Sequence, residues 1–424
     1  MSPSPAARIA CLDLDTFFVS VERLLDPSLV GVPVVVGGRK GSRGVVTSAS
    51  YEVRALGVRS GMPMAEAVRR APDAAFVPTR HDVYGGYAAQ VKAVVERFCP
   101  VVRTASIDEF FLDFHGCERL YHRPVDTDAD ATIARVVREM REAIQAEVRL
   151  PASVGIGTTR PVAKMASARA KPAGVLMVRR GEELAFAAPL PVRRFPGIGP
   201  VAEERLAGLG IATLGALLAI PESDPRVGAL VATVRAGLTP PGLGAPALPA
   251  RDRPAFQEHD AVAEGSLSNE RTFFADVGER LVAEDALRAL VERVTWRLRR
   301  RGGRARTVTL KLRYADFTTI TRGRSVPPTA AEADVLAVAL DLLRAAWSRS
   351  LRIRLLGVQL SNLVAPEAQV ALFAPPRPRM GAAIDAVRDR FGYDAIRMGA
   401  VHKEGARKPP GRPVLAGKGS PPGR

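Results

Sequence analysis

Two apolar, β-prone runs far apart in the chain each deliver acids. Ile9-Ala10-Cys11-Leu12 leads into Asp13-Leu14-Asp15, and Ala105-Ser106-Ile107-Asp108-Glu109 leads into Phe110-Phe111-Leu112. Short apolar runs of this kind form buried strands. A sheet that contains both therefore carries Asp13, Asp108 and Glu109 to a common edge. Carboxylates gathered there suit Mg²⁺, a hard cation that takes oxygen ligands and substrate phosphates. A single strand-end Asp is ordinarily a turn acid; the pairing of two clusters raises metal chemistry above that reading. Neighbouring strand residues point to opposite faces, so Asp108 and Glu109 can serve one site only if the backbone turns over 106–109. Asp15 reads as the N-cap of a helix over 16–25, its side chain accepting from the amide of Phe17 or Phe18.

Composition points to a polyanionic partner. The chain has 61 Lys+Arg against 44 Asp+Glu in 424 residues, a net charge of +17 with a pI near 10.6. Such a surplus binds nucleic acid by releasing counterions. The 37 Gly and 34 Pro suggest that GC-rich coding contributes to the arginine count. The length implies several domains. No signal-peptide pattern or membrane-length apolar run is present, and Cys11, Cys99 and Cys117 show neither paired metal spacing nor a disulfide framework. A reduced, cytoplasmic, DNA-associated protein with no membrane partner is expected.

Further along, strands are expected over 32–37 and 45–49, a helix over 63–70, and a hairpin over 101–114. Ile133, Val136, Val137, Met140, Ile144 and Val148 form one helical face that packs behind the sheet. A strand over 153–157 and a helix over 161–170, which delivers Lys164 and Lys171, complete an α+β domain. Phe195-Pro196-Gly197-Ile198-Gly199-Pro200 has the form of a helix-hairpin-helix. Its plain alternative is a Gly-rich helix–helix turn; in the functional reading Gly197 and Gly199 let backbone amides approach duplex phosphate without reading sequence. Residues 239–254 read as a semi-extended linker.

A split βαββαβ pattern follows, with strands over 261–269, 304–314, 318–325 and 353–363 and helices over 275–300 and 330–348. In its second strand Val308, Leu310, Leu312 and Tyr314 alternate with Thr307, Thr309, Lys311 and Arg313, giving one packed and one basic face. Taken alone, that face reads as a solvated one. A helical stretch over 384–391 and a disordered basic tail from Lys408 close the chain.

The segment Asp13-Leu14-Asp15-Thr16-Phe17-Phe18-Val19-Ser20-Val21-Glu22 resembles the opening motif of the Y-family DNA polymerases, the translesion enzymes, and most closely of their DNA polymerase IV branch. Ser106-Ile107-Asp108-Glu109 resembles the central motif, and Ser50-Tyr51-Glu52-Val53-Arg54 and Ala170-Lys171-Pro172 the nucleotide-holding segments. Thr16 departs from the Ala common in that branch. The likeness runs from about Arg8 to Leu363. It implies a right-hand polymerase: palm over 1–22 and 79–180, fingers over 23–78, thumb with helix-hairpin-helix over 181–238, linker over 239–256, little finger over 257–365, and a C-terminal region over 366–424.

The resemblance further implies two Mg²⁺ ions bridged by Asp13 and Asp108, with Glu109 on the catalytic ion and the Leu14 carbonyl on the nucleotide-bound one. Tyr51, Arg54 and Lys171 would hold the triphosphate, Phe17 would pack beneath the incoming sugar, and Phe18 would be the steric gate; the basic face with Lys311 and Arg313, together with Arg271 and Arg304 of the little finger, would bind the DNA backbone. The implied partners are primer-template DNA, deoxynucleoside triphosphates and a sliding clamp, which the peptide Gln369-Val370-Ala371-Leu372-Phe373 would dock through Gln369, Leu372 and Phe373; the protein would act as a monomer. Two other readings stand beside this one. A catalytically inactive, clamp-tethered adaptor would have lost its metal acids, and a non-enzymatic helix-hairpin-helix repair protein would not require Phe18, Tyr51, Arg54 and Lys171 together.

Overall fold

The computed structural model describes residues 8–240, 265–347, 351–365 and 380–397. The chain divides into two compact units, Met1–Gln257 and Glu258–Arg424. The first is built around a five-stranded sheet. Its strands are β1 (Ile9–Leu14), β5 (Val101–Thr104), β6 (Glu109–Asp113), β7 (Ala152–Gly157) and β8 (Val175–Met177), ordered β5-β6-β1-β7-β8. β1 is central and antiparallel to both neighbours.

Alternation along β1 decides what each face of this sheet meets. Ala10, Leu12 and Leu14 join a core with Tyr84, Val91 and Val95 of α4 (His81–Val95) and Ile133, Val137, Met140 and Ile144 of α6 (Ala129–Glu147). Ile9 and Cys11 pack on the opposite face with Phe111 and Ala163 of α7 (Arg160–Ala170). Glycine allows α7 to lie directly on β7: a Cβ on Gly155 would sit 2.0 Å from the Ser167 nitrogen and 2.1 Å from the Ala163 oxygen. Any side chain there would lift the helix off the sheet.

A smaller three-stranded sheet places β2 (Val34–Gly37) between β3 (Ser48–Ala49) and β4 (Ala75–Pro78), covered by α2 (Tyr51–Ala55) and α3 (Met64–Arg70). The strand expected over 45–49 is shorter because Val45 pairs instead with Pro63. α1 (Phe17–Leu25) and α5 (Glu118–Tyr121) complete this part. Beyond β8 come α8 (Glu183–Ala187), α9 (Pro200–Gly208), α10 (Leu214–Leu218) and α11 (Gly228–Leu238). Phe195, Ile198, Leu206, Leu214, Leu217, Val231 and Val234 bury together with Val162 and Met165 of α7.

In the second unit β9 (Ser266–Val277), β10 (Arg304–Tyr314), β11 (Thr319–Thr329) and β12 (Ile353–Val364) form an antiparallel sheet ordered β11-β10-β12-β9. With α12 (Arg280–Arg300) and α13 (Glu332–Ala346) this is the split βαββαβ arrangement. Two boundaries differ from expectation. The helix assigned from 275 starts at Arg280, since β9 runs on to pair Val277 with Ile353 and sheet pairing overrides local propensity. The strand assigned to end at 325 continues through Pro327 and Pro328 to Thr329. β11 is an edge strand, where proline leaves no ladder bond unmade. α14 (Met380–Phe391) docks on α12, with Arg299 bidentate to Asp385 at 2.7 and 2.8 Å. The linker beyond Pro240, the peptide Gln369–Phe373 and the basic tail lie outside the described residues.

Candidate active site

The β1 alternation that sends Ile9 and Cys11 toward α7 sends Asp13 the same way. Register does the rest: Asp13 stands opposite Glu109 on β6 and opposite Ser153 on β7. Asp108 precedes β6 in a turn, its carbonyl accepting from the Leu14 amide at 2.9 Å and its carboxylate from the Ser106 hydroxyl. The bend required over 106–109 is thus present, and the three acids meet at one edge of the sheet.

Two lysines, Lys164 within α7 and Lys171 at its C-cap, reach onto them. Lys164 Nζ donates to both Glu109 oxygens at 2.9 and 2.7 Å. Lys171, at the C-terminal end of the helix, bonds the Asp13 carboxylate and lies 3.4 Å from Asp15. Burial pushes the Asp13 carboxyl up to about 6; Lys171 opposes the rise, and Asp108 and Glu109 add to it.

Asp15 corrects the reading of it as a helix cap. Thr16 occupies the cap position with φ +43° and no side-chain cap bond exists. The left-handed turn swings Asp15 back over the sheet, where its buried carboxylate accepts from Ser153 Oγ at 2.8 Å, the Ala173 amide at 2.7 Å and Tyr51 OH at 3.3 Å. Asp15 therefore ties α2 and the end of α7 to the sheet. Tyr51 leads α2 and is 38 % exposed. The Arg54 guanidinium lies 5.3 Å from its ring centre, and Arg54 Nε donates to the Ala49 carbonyl at 2.8 Å.

Phe18 is half-buried and stacks on Tyr84, centroids 4.2 Å apart at 15°. Phe17, assigned to the floor of a sugar site, is 3 % exposed and belongs to the core. Its ring centroid lies 5.5 Å from that of Phe18. Among the described residues no group of three or more His, Cys, Asp or Glu is placed to hold a metal ion as the side chains stand; lysines engage Asp13 and Glu109. The donor set nevertheless fits Mg²⁺: carboxylate oxygens in register across two strands, mutually repelling and partly buried, are what a small hard cation relieves.

The residues assigned to DNA lie elsewhere. Gly197 adopts φ +101°, a conformation side chains resist, and Gly199 caps the N-terminus of α9. On the polar face of β10, Lys311 bonds both carboxylate oxygens of Glu270 at 2.9 Å. This pair crosses β12 at Gly357, where a Cβ would come 2.8 Å from Glu270 Cγ. Arg313 Nε donates to Thr319 Oγ1 at 2.7 Å, Arg271 is exposed and lies over Phe273, and Arg304 opens β10. Sequence reasoning missed Lys164 as the partner of Glu109, although its seven-residue spacing from Lys171 was a signal. It also missed Glu270 as a neutralising partner; nothing in linear order pairs it with Lys311.

The model of the impB/mucB/samB family matches residues 12–168, that of the family's C-terminal domain 264–372, and that of its helix-hairpin-helix motif 180–211. The DNA polymerase IV of Dehalococcoides mccartyi strain CBDB1 is 36 % identical over 401 residues, covering 93 % of this chain and 98 % of the relative. That of Halorhodospira halophila is 39 % identical over 369 residues, covering 87 % and 98 %. Among solved structures, a Y-family DNA polymerase chimera superposes with a TM-score of 0.68 at 23 % identity, covering 84 % of this chain and 99 % of that one. DinB from Sulfolobus solfataricus gives 0.50 at 24 % identity with the same coverage. At these identities the structures speak for the fold. No helix among the described residues is long and apolar enough to cross a membrane.

Proposed function

The chain belongs to the DNA polymerase IV branch of the Y family and is a DNA-directed DNA polymerase of the translesion class; from that premise we propose that it extends a primer 3′-OH with deoxynucleoside triphosphates at the edge formed by Asp13, Asp108 and Glu109. The observation that carries this reading is the register of Asp13 against Glu109 with Asp108 in the adjoining turn. Asp13, Asp108 and Glu109, with the Leu14 carbonyl, would hold two Mg²⁺ ions. When bound, those ions supply Lewis-acid activation of the primer hydroxyl and neutralise the triphosphate.

The chain's own groups position and exclude. The primer oxygen forms its bond to the α-phosphorus as the bond to pyrophosphate breaks, with no protein nucleophile. Tyr51, Arg54 and Lys171 grip the triphosphate as negative charge moves to the leaving group. Lys171 exchanges the Asp13 carboxylate for phosphate oxygens when it does so. Phe18 meets the ribose 2′ position and rejects ribonucleotides by collision. Gly197 and Gly199 offer backbone to duplex phosphate, and Arg271, Arg304, Lys311 and Arg313 form a second basic surface, Lys311 on release from Glu270. Gln369, Leu372 and Phe373 dock a sliding clamp, tethering a monomer to its primer-template.

Primer extension with one deoxynucleotide at a time tests the proposal. Insertion only of the complement of the templating base, and only with Mg²⁺ or Mn²⁺, is the expected result. Binding without insertion would instead identify an adaptor or a repair protein.

A further inference from the structure

Glu22 is an unusual residue for the middle of an amphipathic helix, a carboxylate only 1 % exposed. It lies one turn beyond Phe18 on the same face of α1. Its Oε1 accepts from Tyr84 OH at 2.6 Å and from Arg80 Nε at 2.9 Å, and its Oε2 from the terminal nitrogen of Arg80. Arg80 immediately precedes α4 and Tyr84 stands in its first turn. The circuit closes through the rings, because fully buried Tyr84 lies parallel beneath Phe18.

We propose that Glu22, gripped by Arg80, is a positioning residue for sugar selection: it locks Tyr84, and Tyr84 is the floor that keeps Phe18 from yielding to a ribose 2′-OH. The proposal deepens the reading of Phe18 as the gate and rests on it. Exclusion by collision is only as strong as the excluding group is stiff. A functional side chain must be held to roughly 0.5 Å by the groups behind it. A charge-assisted bond to a buried, bidentate ion pair supplies that stiffness at the far end of the Tyr84 ring. Packing alone would leave the stacked rings free to slide together.

The test is the ratio of kcat/KM for matched deoxy- and ribonucleotides in wild type, Tyr84→Phe, Glu22→Gln, Phe18→Ala and the double variant Phe18→Ala/Tyr84→Phe. Ile353→Val serves as a control that lowers Tm in the separate core of the second unit. Tyr84→Phe keeps the ring and deletes its anchor, so the ratio should fall about fivefold, the effect of one hydrogen bond, chiefly through a lower ribonucleotide KM. Glu22→Gln should lower it by a smaller factor, since an acceptor for Tyr84 remains. In the Phe18→Ala background, Tyr84→Phe should have no further effect, because it acts only through the gate. Ile353→Val should leave the ratio where it was. An unchanged ratio in Tyr84→Phe and Glu22→Gln, or an equal effect of Tyr84→Phe with and without Phe18, overturns the proposal while leaving the gate intact. An unchanged ratio in Phe18→Ala removes the gate itself and the proposal with it.

Discussion

Asp13 shows how one side chain records its surroundings. Its carboxyl is raised to about 6 by burial, against the pull of Lys171. A folded pKa above the unfolded one stabilises the fold at low pH, and that contribution is lost as pH rises through the folded value. Between pH 5 and 7 metal-free wild type should lose roughly 1 kcal/mol that Asp13→Asn does not lose. Thermal melts of both proteins in chelated buffer check this; parallel pH profiles would contradict it. Phe18 carries a second prediction: Phe18→Ala should lower the deoxy-to-ribo ratio of kcat/KM by at least about tenfold, relief of a clash rather than loss of fold. The acids were legible because they interrupt apolar strand runs. Asp15 was misread because an Asp before a helix usually caps it, and only the left-handed turn at Thr16 diverts it to Ser153 and Ala173.

Among the elements, α14 invites the clearest test. Arg388 is buried against Glu292 at 3.2 Å and lies over Tyr393, while its Nε and one terminal nitrogen find no hydrogen-bond partner among the described residues. Removing one member of a buried pair strands the other, so Arg388→Ala should destabilise the second unit by about 3–5 kcal/mol. Arg388→Met with Glu292→Leu should recover most of that loss, because neither charge then remains buried. Urea unfolding of the full chain separates the cases. A helical stretch was expected over 384–391, and alternation announced β10 from Arg304 to Tyr314. The ends of β9 and β11 were harder to read. Pairing with Ile353 and an edge position decide them, and both are properties of the sheet.

For the whole molecule, charge and register combine. A net +17, with the phosphate contacts proposed for Gly197, Gly199 and the basic face of β10, should give duplex binding that weakens about a thousandfold between 50 and 200 mM salt if roughly six phosphates are contacted. A flat response would remove the backbone-binding account. The order of motifs made the architecture readable from sequence, yet the lysine pairing of the acids was not, since it depends on Gly155 bringing α7 onto β7. The most direct test of the account is single-turnover insertion by Asp108→Asn, with primer-template affinity measured on the same samples. Insertion should fall by at least about a hundredfold, as expected when one electrostatic contact to the reacting centre is lost, while affinity changes less than about threefold. Insertion near the wild-type rate would contradict the assignment of the site.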